Sequence, residues 1–449
     1  MASKSTLIRN AFIVNEGLIF KGDLLINDGK IEEISPATIT SFPENTEVID
    51  ATGKYLLPGV IDTHVHFREP GLVHKADIYT ESKAAVAGGV TSFMDMPNTV
   101  PPVLTQQLLE DKFALAKDKA LANYSFYMGT SNDNLSEVLK TDPKNVCGVK
   151  IYLGTSTGNM CVDKPEAIEE LFAKCPTLLA AHCEDEHIIE ENSKLFKEKY
   201  GDNPPPASHP QIRNEECCYR SSSHAVELAR KYNTRLHIVH VSTMKETNLF
   251  ENKPSLEKKQ ITSEVCIHHL WFSDKDYANK GNWIKWNPAI KTENDRKGLM
   301  EALLNDKIDT IATDHAPHTH DEKEQVYFCC PSGAPMIQHS LVAMLEFHHA
   351  GKILVEDIVR KMCHAPATCF HIENRGFLRK GYWADLVLVD LNNPWKVDKS
   401  NILYKCKWSP MEGETFHSRV THTFVNGHLA YKEGVFNESV KGCRLSFNR

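Results

Sequence analysis

Eight short apolar, β-branched runs recur through the middle of this chain: VIDTHVHF, VTSFMDM, NYSFYMG, CGVKIYL, LLAAHC, RLHIVHV, ITSEVCI and IDTIATD. Between most of them lie stretches of helical character, among them LTQQLLEDKFALAKDKA and KPEAIEELFAKC. Nearly continuous apolar strands alternating with amphipathic helices belong to a parallel sheet buried on both faces. Eight such units over about 320 residues match a (β/α)8 TIM-like barrel better than an open sheet. A doubly wound sheet is expected to carry a Gly-rich phosphate turn, and GxGxxG does not occur. The segment 200–213, YGDNPPPASHPQIR, interrupts the alternation and is expected to form a long loop over one face.

Strand-like text also stands at both ends. TLIRNAFIVN and GLIFKGDLLI lead through the turn NDGK into IEEI, and ADLVLVD and RVTHTFVNGHLAYKEG return near the far end. Asp28-Gly29 and Asn426-Gly427 are hairpin signals between β-branched flanks. Residues 1–52 and 381–449 are therefore expected to form one small β-sandwich-like domain, with residues 53–380 as the catalytic barrel.

The 51 basic and 59 acidic residues give a net charge of −8, which argues against a polyanion-coating protein and so against a nucleic-acid partner. Thirteen cysteines are too few for a disulfide scaffold in so long a chain, and no CxxC occurs. The opening MASKSTLIRN carries no apolar core, and no uninterrupted apolar run approaches the ~18 residues of a membrane span. The expectation is a reduced, cytoplasmic protein with no membrane partner.

Metal-type side chains cluster on the barrel runs. His64 and His66 lie two apart in the first, so a period-2 strand points both into the barrel mouth. Lys150 is expected to close the fourth run, His182 the fifth and His240 the sixth, with Asp314 following the eighth. Barrel active sites form at the strand ends of one face. Four imidazoles and a carboxylate suit a borderline cation such as zinc. Lys150 is the odd member, because an ammonium repels metals. It is either a salt-bridge partner or a lysine converted by CO₂ to a carbamate that bridges two cations. Arg68 follows the His pair by two and faces the mouth as well. A guanidinium beside cations requires an anion between them, and a substrate carboxylate held bidentately would supply it.

His64-Val65-His66-Phe67-Arg68-Glu69-Pro70-Gly71 resembles the HxHxREPG signature of dihydroorotases, within the cyclic amidohydrolase superfamily. The resemblance continues through GGVTSFMDMPNT, GVKIYLGTSTGNM, LLAAHCED, RLHIVHVST, EVCIHHLWF, KWNPAIK, IATDHAPH and GFLRKGYWADLVLVD. It implies that His64, His66 and Asp314 hold a buried zinc, and that carbamylated Lys150 bridges it to a second zinc held by His182 and His240. Some long-chain relatives place an Asp after the fourth strand, where this chain has Gly154-Thr155, so the lysine version fits better. His237 resembles a non-ligand, structural position. Asn98 and His318 resemble the other carboxylate contacts, Asn287 a residue addressing the ring, and Gly333-Ala334 the loop that meets the pyrimidine edge. Asp314 would carry the proton to and from the ring nitrogen.

The implied activity is the zinc-dependent, reversible cyclisation of N-carbamoyl-L-aspartate to L-dihydroorotate in de novo pyrimidine biosynthesis, by a homo-oligomer (dimer or tetramer). The alternative is an allantoinase or another hydantoinase-like cyclic amidohydrolase. Those relatives typically lack the arginine after the His pair. A non-catalytic scaffold of the same family would have lost several ligands, and all six positions are filled here.

Overall fold

The computed structural model describes residues 5–154, 159–252 and 255–449. Its centre is a ring of eight parallel strands, one for each apolar run: β1 (Val60–Val65), β2 (Val90–Asp95), β3 (Asn123–Phe126, continuing as Met128–Gly129), β4 (Val149–Leu153), β5 (Leu179–Cys183), β6 (Leu236–Ile238), β7 (Ile261–Cys266) and β8 (Thr310–Ala312). Each pairs in parallel with the next. A parallel bridge from Val65 to His315 closes the last onto the first. The runs are buried along almost their whole length, and for that reason they show no polar alternation.

Local chemistry starts and stops the intervening helices. Asp77 precedes the helix Ile78–Ala87 and accepts from the Thr80 amide, while its own amide donates to Thr80 Oγ1. This reciprocal pair satisfies two amides that the first turn leaves without partners. Helix Glu215–Tyr232 begins at Asn214, which accepts from the Cys217 amide, and ends at the left-handed Asn233. Two connections depart from the regular pattern. Between β6 and β7 the described residues hold only the short 3₁₀ turns Glu246–Leu249 and Leu256–Lys258. The expected long loop at 200–213 winds instead into Pro206–Ser208 and His209–Ile212. His209 fastens it to the barrel: its Nε2–H donates to the Trp286 carbonyl at 2.6 Å, so its Nδ1 accepts from the Tyr327 hydroxyl at 2.6 Å.

Strands from both ends of the chain join in a single nine-stranded sheet. Tyr55–Pro58, which leads straight into β1, is flanked in it by Ser5–Asn15 and by Leu386–Asp390. The sheet buries its own apolar layer, including Ile8, Ile13, Leu24, Leu56, Leu386, Leu388 and Phe424. A buried polar joint ties sheet to barrel. Asp385 accepts from Asn123 at the start of β3 and from the Asn426 amide, and it is ion-paired with buried Arg375. Removing the carboxylate would strand that guanidinium. Asp385→Ala should lower unfolding stability by about 3–5 kcal/mol, measured by denaturant titration; a loss below about 1 kcal/mol would mean that water reaches Arg375 instead.

Candidate active site

The bridge that closes the barrel brings β1 against the segment after β8. There His64 Nε2 and His66 Nε2 lie 3.3 and 3.1 Å from the same oxygen of Asp314. The far nitrogen of each ring is already committed. His64 Nδ1–H donates to Glu264 Oε1 at 2.6 Å, and His66 Nδ1–H donates to Asn98 Oδ1 at 2.7 Å. Both tautomers therefore present an Nε2 lone pair towards Asp314, which is the arrangement a metal-binding imidazole needs. One ligand atom from each of the three residues fits within 4.8 Å.

The second half of the centre lies one ring away. The His64 and His240 rings are 5.2 Å apart, and His240 Nε2 is 2.8 Å from His182 Nδ1. Glu184 Oε2 stands 3.0 Å from the other nitrogen of His182 but off its hydrogen-bond direction. Lys150 is the second residue of β4 rather than its last, and it is fully buried. Its Nζ has no hydrogen-bond partner among the described residues. Burial pulls its amine down to about 8, against the opposing pull of Glu264 and Asp314. A buried amine without a partner is costly, and conversion to a ligating anion would remove the cost. All six residues are at most 8% exposed. This set of nitrogen and carboxylate donors, with its orphaned amine, fits a divalent metal centre.

Three members of the site hold left-handed backbones that are rare outside glycine: Arg68 at φ +69°, His240 at +42° and Asp314 at +46°. Each such conformation costs about 1–3 kcal/mol and persists only where surrounding contacts enforce it. Here the enforcers are buried acids. Asp95 Oδ1 accepts from the Phe67 amide beside Arg68, and Glu264 accepts from the His240 amide. Asp62 accepts from the Thr313 amide and hydroxyl, one residue before Asp314. Desolvation pushes the Asp62 carboxyl up to about 7, and it also raises that of Asp314 above the usual range. Glu264, although equally buried, is held well below the usual range because His64 and His237 face it.

Arg68 is buried and has no carboxylate within ion-pairing distance among the described residues. Its Nε–H donates to the Pro317 carbonyl, and its Nη2 lies 3.0 Å from His318 Nε2. That nitrogen is also 2.9 Å from the Ser332 carbonyl, while Lys75 Nζ sits 3.1 Å from His318 Nδ1. Burial keeps the His318 ring neutral, with one lone pair to offer. If Nδ1 accepts from Lys75, Nε2–H donates to Ser332 and Arg68 Nη2 faces a donor; if Nδ1–H points to Glu322 Oε2, 3.6 Å away, Nε2 accepts from Arg68, and in neither case does the guanidinium meet an acid. The geometry leaves this guanidinium in want of an anion.

The remaining expected contacts differ in how open they are. The Asn98 carbonyl oxygen is taken by His66. Asn287 is half-buried, and its Oδ1 has no partner among the described residues. The Gly333 amide donates to Lys285 O, its carbonyl accepts from Lys323 Nζ, and the Ala334 carbonyl accepts from the Ala316 amide. A Cβ on Gly333 would lie 2.6 Å from Ala316 O, so only glycine fits the φ of +125° there. His237 contacts Glu264 and Thr262. Gly154 is described, but Thr155 lies outside the described residues. Sequence reasoning missed Asp62, Asp95 and Glu264. Their signal was a lone carboxylate inside each otherwise apolar run.

Residues 55–430 match the amidohydrolase family, and the chain belongs to that family. It is a metal-dependent cyclic amide hydrolase. Among curated relatives it is 33% identical to the dihydroorotase of Pyrococcus abyssi over 97% of this chain and 96% of that protein. It is also 33% identical to the dihydroorotase of Ehrlichia chaffeensis, over 92% of each. Among solved structures it matches the L-hydantoinase (dihydropyrimidinase) from Arthrobacter aurescens with a TM-score of 0.91 at 27% identity, covering 96% of this chain and 97% of that one. The dihydropyrimidinase from Brevibacillus agri NCHU1002 shares the fold, with a TM-score of 0.87 at 23% identity over 99% of this chain and 100% of that one. No helix among the described residues is long and apolar enough to cross a membrane.

Proposed function

We propose that this chain is a dihydroorotase, opening L-dihydroorotate to N-carbamoyl-L-aspartate and closing it again. The observation that carries this reading is buried Arg68, without a carboxylate partner, beside the His64–His66–Asp314 group. His64, His66 and Asp314 would hold one zinc and His182 and His240 a second, with carbamylated Lys150 as the anionic bridge. When bound, the metals supply a water acidified towards neutrality and a polarised amide carbonyl. Arg68, assisted by His318 and the Asn98 amide nitrogen, would grip the substrate carboxylate, while Asn98 Oδ1 holds the His66 ring in its ligating tautomer. Asn287 and the clamped Gly333-Ala334 loop would face the ring edge. In ring opening Asp314 would take a proton from the attacking water and deliver it to the ring nitrogen as the amide C–N bond breaks, and in ring closure it would run the same transfer backwards.

The same reading divides the chain into a barrel of 53–380 and a terminal unit of 1–52 with 381–449. It also makes the enzyme a homo-oligomer, dimer or tetramer. Thirteen free cysteines support a reducing, cytoplasmic setting. The hydantoinase alternative rests on the likeness of fold, and Arg68 argues against it.

Zinc-loaded protein should turn over L-dihydroorotate and leave allantoin nearly untouched when both are assayed side by side; preference for allantoin would promote the alternative. Arg68→Met should lower kcat/KM on dihydroorotate about 30- to 1,000-fold, the equivalent of about 2–4 kcal/mol, with metal content intact. An equal loss on an uncharged cyclic amide would reduce Arg68 to a support of the fold. Asp314→Asn keeps an oxygen ligand but cannot ferry a proton, so kcat should fall ~10²-fold or more. Lys150→Ala should lose the second metal by elemental analysis, with partial rescue by short carboxylic acids. Two tightly held metals in that variant would exclude the carbamate bridge.

A further inference from the structure

Glu264 is a fully buried carboxylate that touches both halves of the centre. It projects from β7, a strand to which no ligand has been assigned. Oε1 accepts from His64 Nδ1–H at 2.6 Å and from the His240 amide at 3.3 Å. Oε2 accepts from Thr63 Oγ1–H at 2.9 Å and lies 3.3 Å from His237 Nε2. An ionised carboxylate only accepts, so His237 must carry its proton on Nε2. Its Nδ1 then accepts from the Thr262 hydroxyl, 2.8 Å away. The four lone-pair directions of the carboxylate are thereby filled from β1, from β6 and from His240, two residues beyond β6. Nothing is left to bind a cation, although Glu264 lies within metal-ligand distance of His64 and Cys266.

We propose that Glu264 is the positioning residue of the metal centre. It fixes the His64 ring through Nδ1 and the left-handed His240 backbone through its amide, and Thr63 and His237 orient the carboxylate in turn. The inference rests on His64 and His240 being ligands. It gives His237, whose two ring nitrogens face Glu264 and Thr262, a defined task. It also couples the two halves: one side chain sets the direction of a lone pair in the first and the placement of a ring in the second. A glutamine keeps one accepting oxygen but places an NH2 where Thr63 and His237 now donate, so it fits only if the Thr63 hydroxyl turns and His237 changes tautomer.

The test is zinc affinity of chelator-stripped protein, titrated in competition with a chromophoric chelator, alongside thermal melting of the metal-free form. Glu264→Gln should weaken zinc about 10- to 100-fold. His237→Leu removes one orienting donor and should weaken zinc towards the lower end, about tenfold. His237→Gln keeps an N–H for Oε2 and should recover most of that loss. His64→Ala separates the two levels of the argument: wild-type zinc affinity there would overturn the ligand assignment itself. If His64→Ala loses zinc while Glu264→Gln and His237→Leu bind it as wild type, the ligands stand and the role of Glu264 falls. A drop in melting temperature with unchanged zinc affinity would equally reduce Glu264 to a structural residue. Should Glu264→Gln fail to fold, the two His237 variants decide alone.

Discussion

The parallel bridge between Val65 and His315 turns a row of strands into a ring, and the site exists only because that ring closes. His64 and His66 come from the first strand and Asp314 from just beyond the last, so no local stretch of chain could assemble them. The seam is reinforced where it matters. The His66 amide donates to the His315 carbonyl at 2.7 Å, and Asp62 on β1 receives both the amide and the hydroxyl of Thr313. A closed sheet has no free edge, so its backbone groups are satisfied within the ring. The mouth can then carry polar side chains without exposing unpaired amides.

Closure forces a second condition, the burial of charge. Asp62, Asp95, Glu184, Glu264 and Asp314 sit in the barrel with Arg68, Lys112, Lys150 and Arg213, all out of water. Most are neutralised in pairs or nets: Lys112 Nζ lies 2.7 Å from Asp95, and Arg213 meets Glu184. Two cations are not. Lys150 has no hydrogen-bond partner and Arg68 no acid, among the described residues. Buried Lys285 and Lys323 also lack an acid but donate to backbone carbonyls, whereas on the proposed reading Lys150 would be completed by a carbamate and Arg68 by a substrate carboxylate.

The readable part of the fold was the part governed by periodicity. Eight apolar runs became eight strands because burial on both faces allows little else. The His-x-His spacing placed two rings on one face because a strand repeats every two residues. What escaped was governed by contacts remote in sequence. Glu264 lies 200 residues from His64, and nothing near it in ITSEVCI says which ring it will meet. Its only local mark was a carboxylate in a run with no place for one. The 200–213 segment looked like a loop because its prolines forbid a long helix. They tolerate the short turns the chain adopts, since Pro206 and Pro210 sit in first turns where a missing amide costs nothing.

The fold alone does not choose the substrate. This chain superposes on a hydantoinase at a TM-score of 0.91, yet its curated relatives at 33% identity are dihydroorotases. The two kinds of enzyme need the same metals and the same attack on a ring amide, so the barrel and its ligands cannot distinguish them. The difference must lie in a group that meets the part of the substrate that does not react. Arg68 meets that requirement: it follows the ligands by two residues, holds a left-handed backbone, and is kept from water by Pro317 and His318. On the proposed reading, a guanidinium so placed would disfavour an uncharged ring, which would leave it buried without an anion, and would favour a ring bearing a carboxylate. Selection would then work as much by penalty against the wrong ligand as by attraction to the right one.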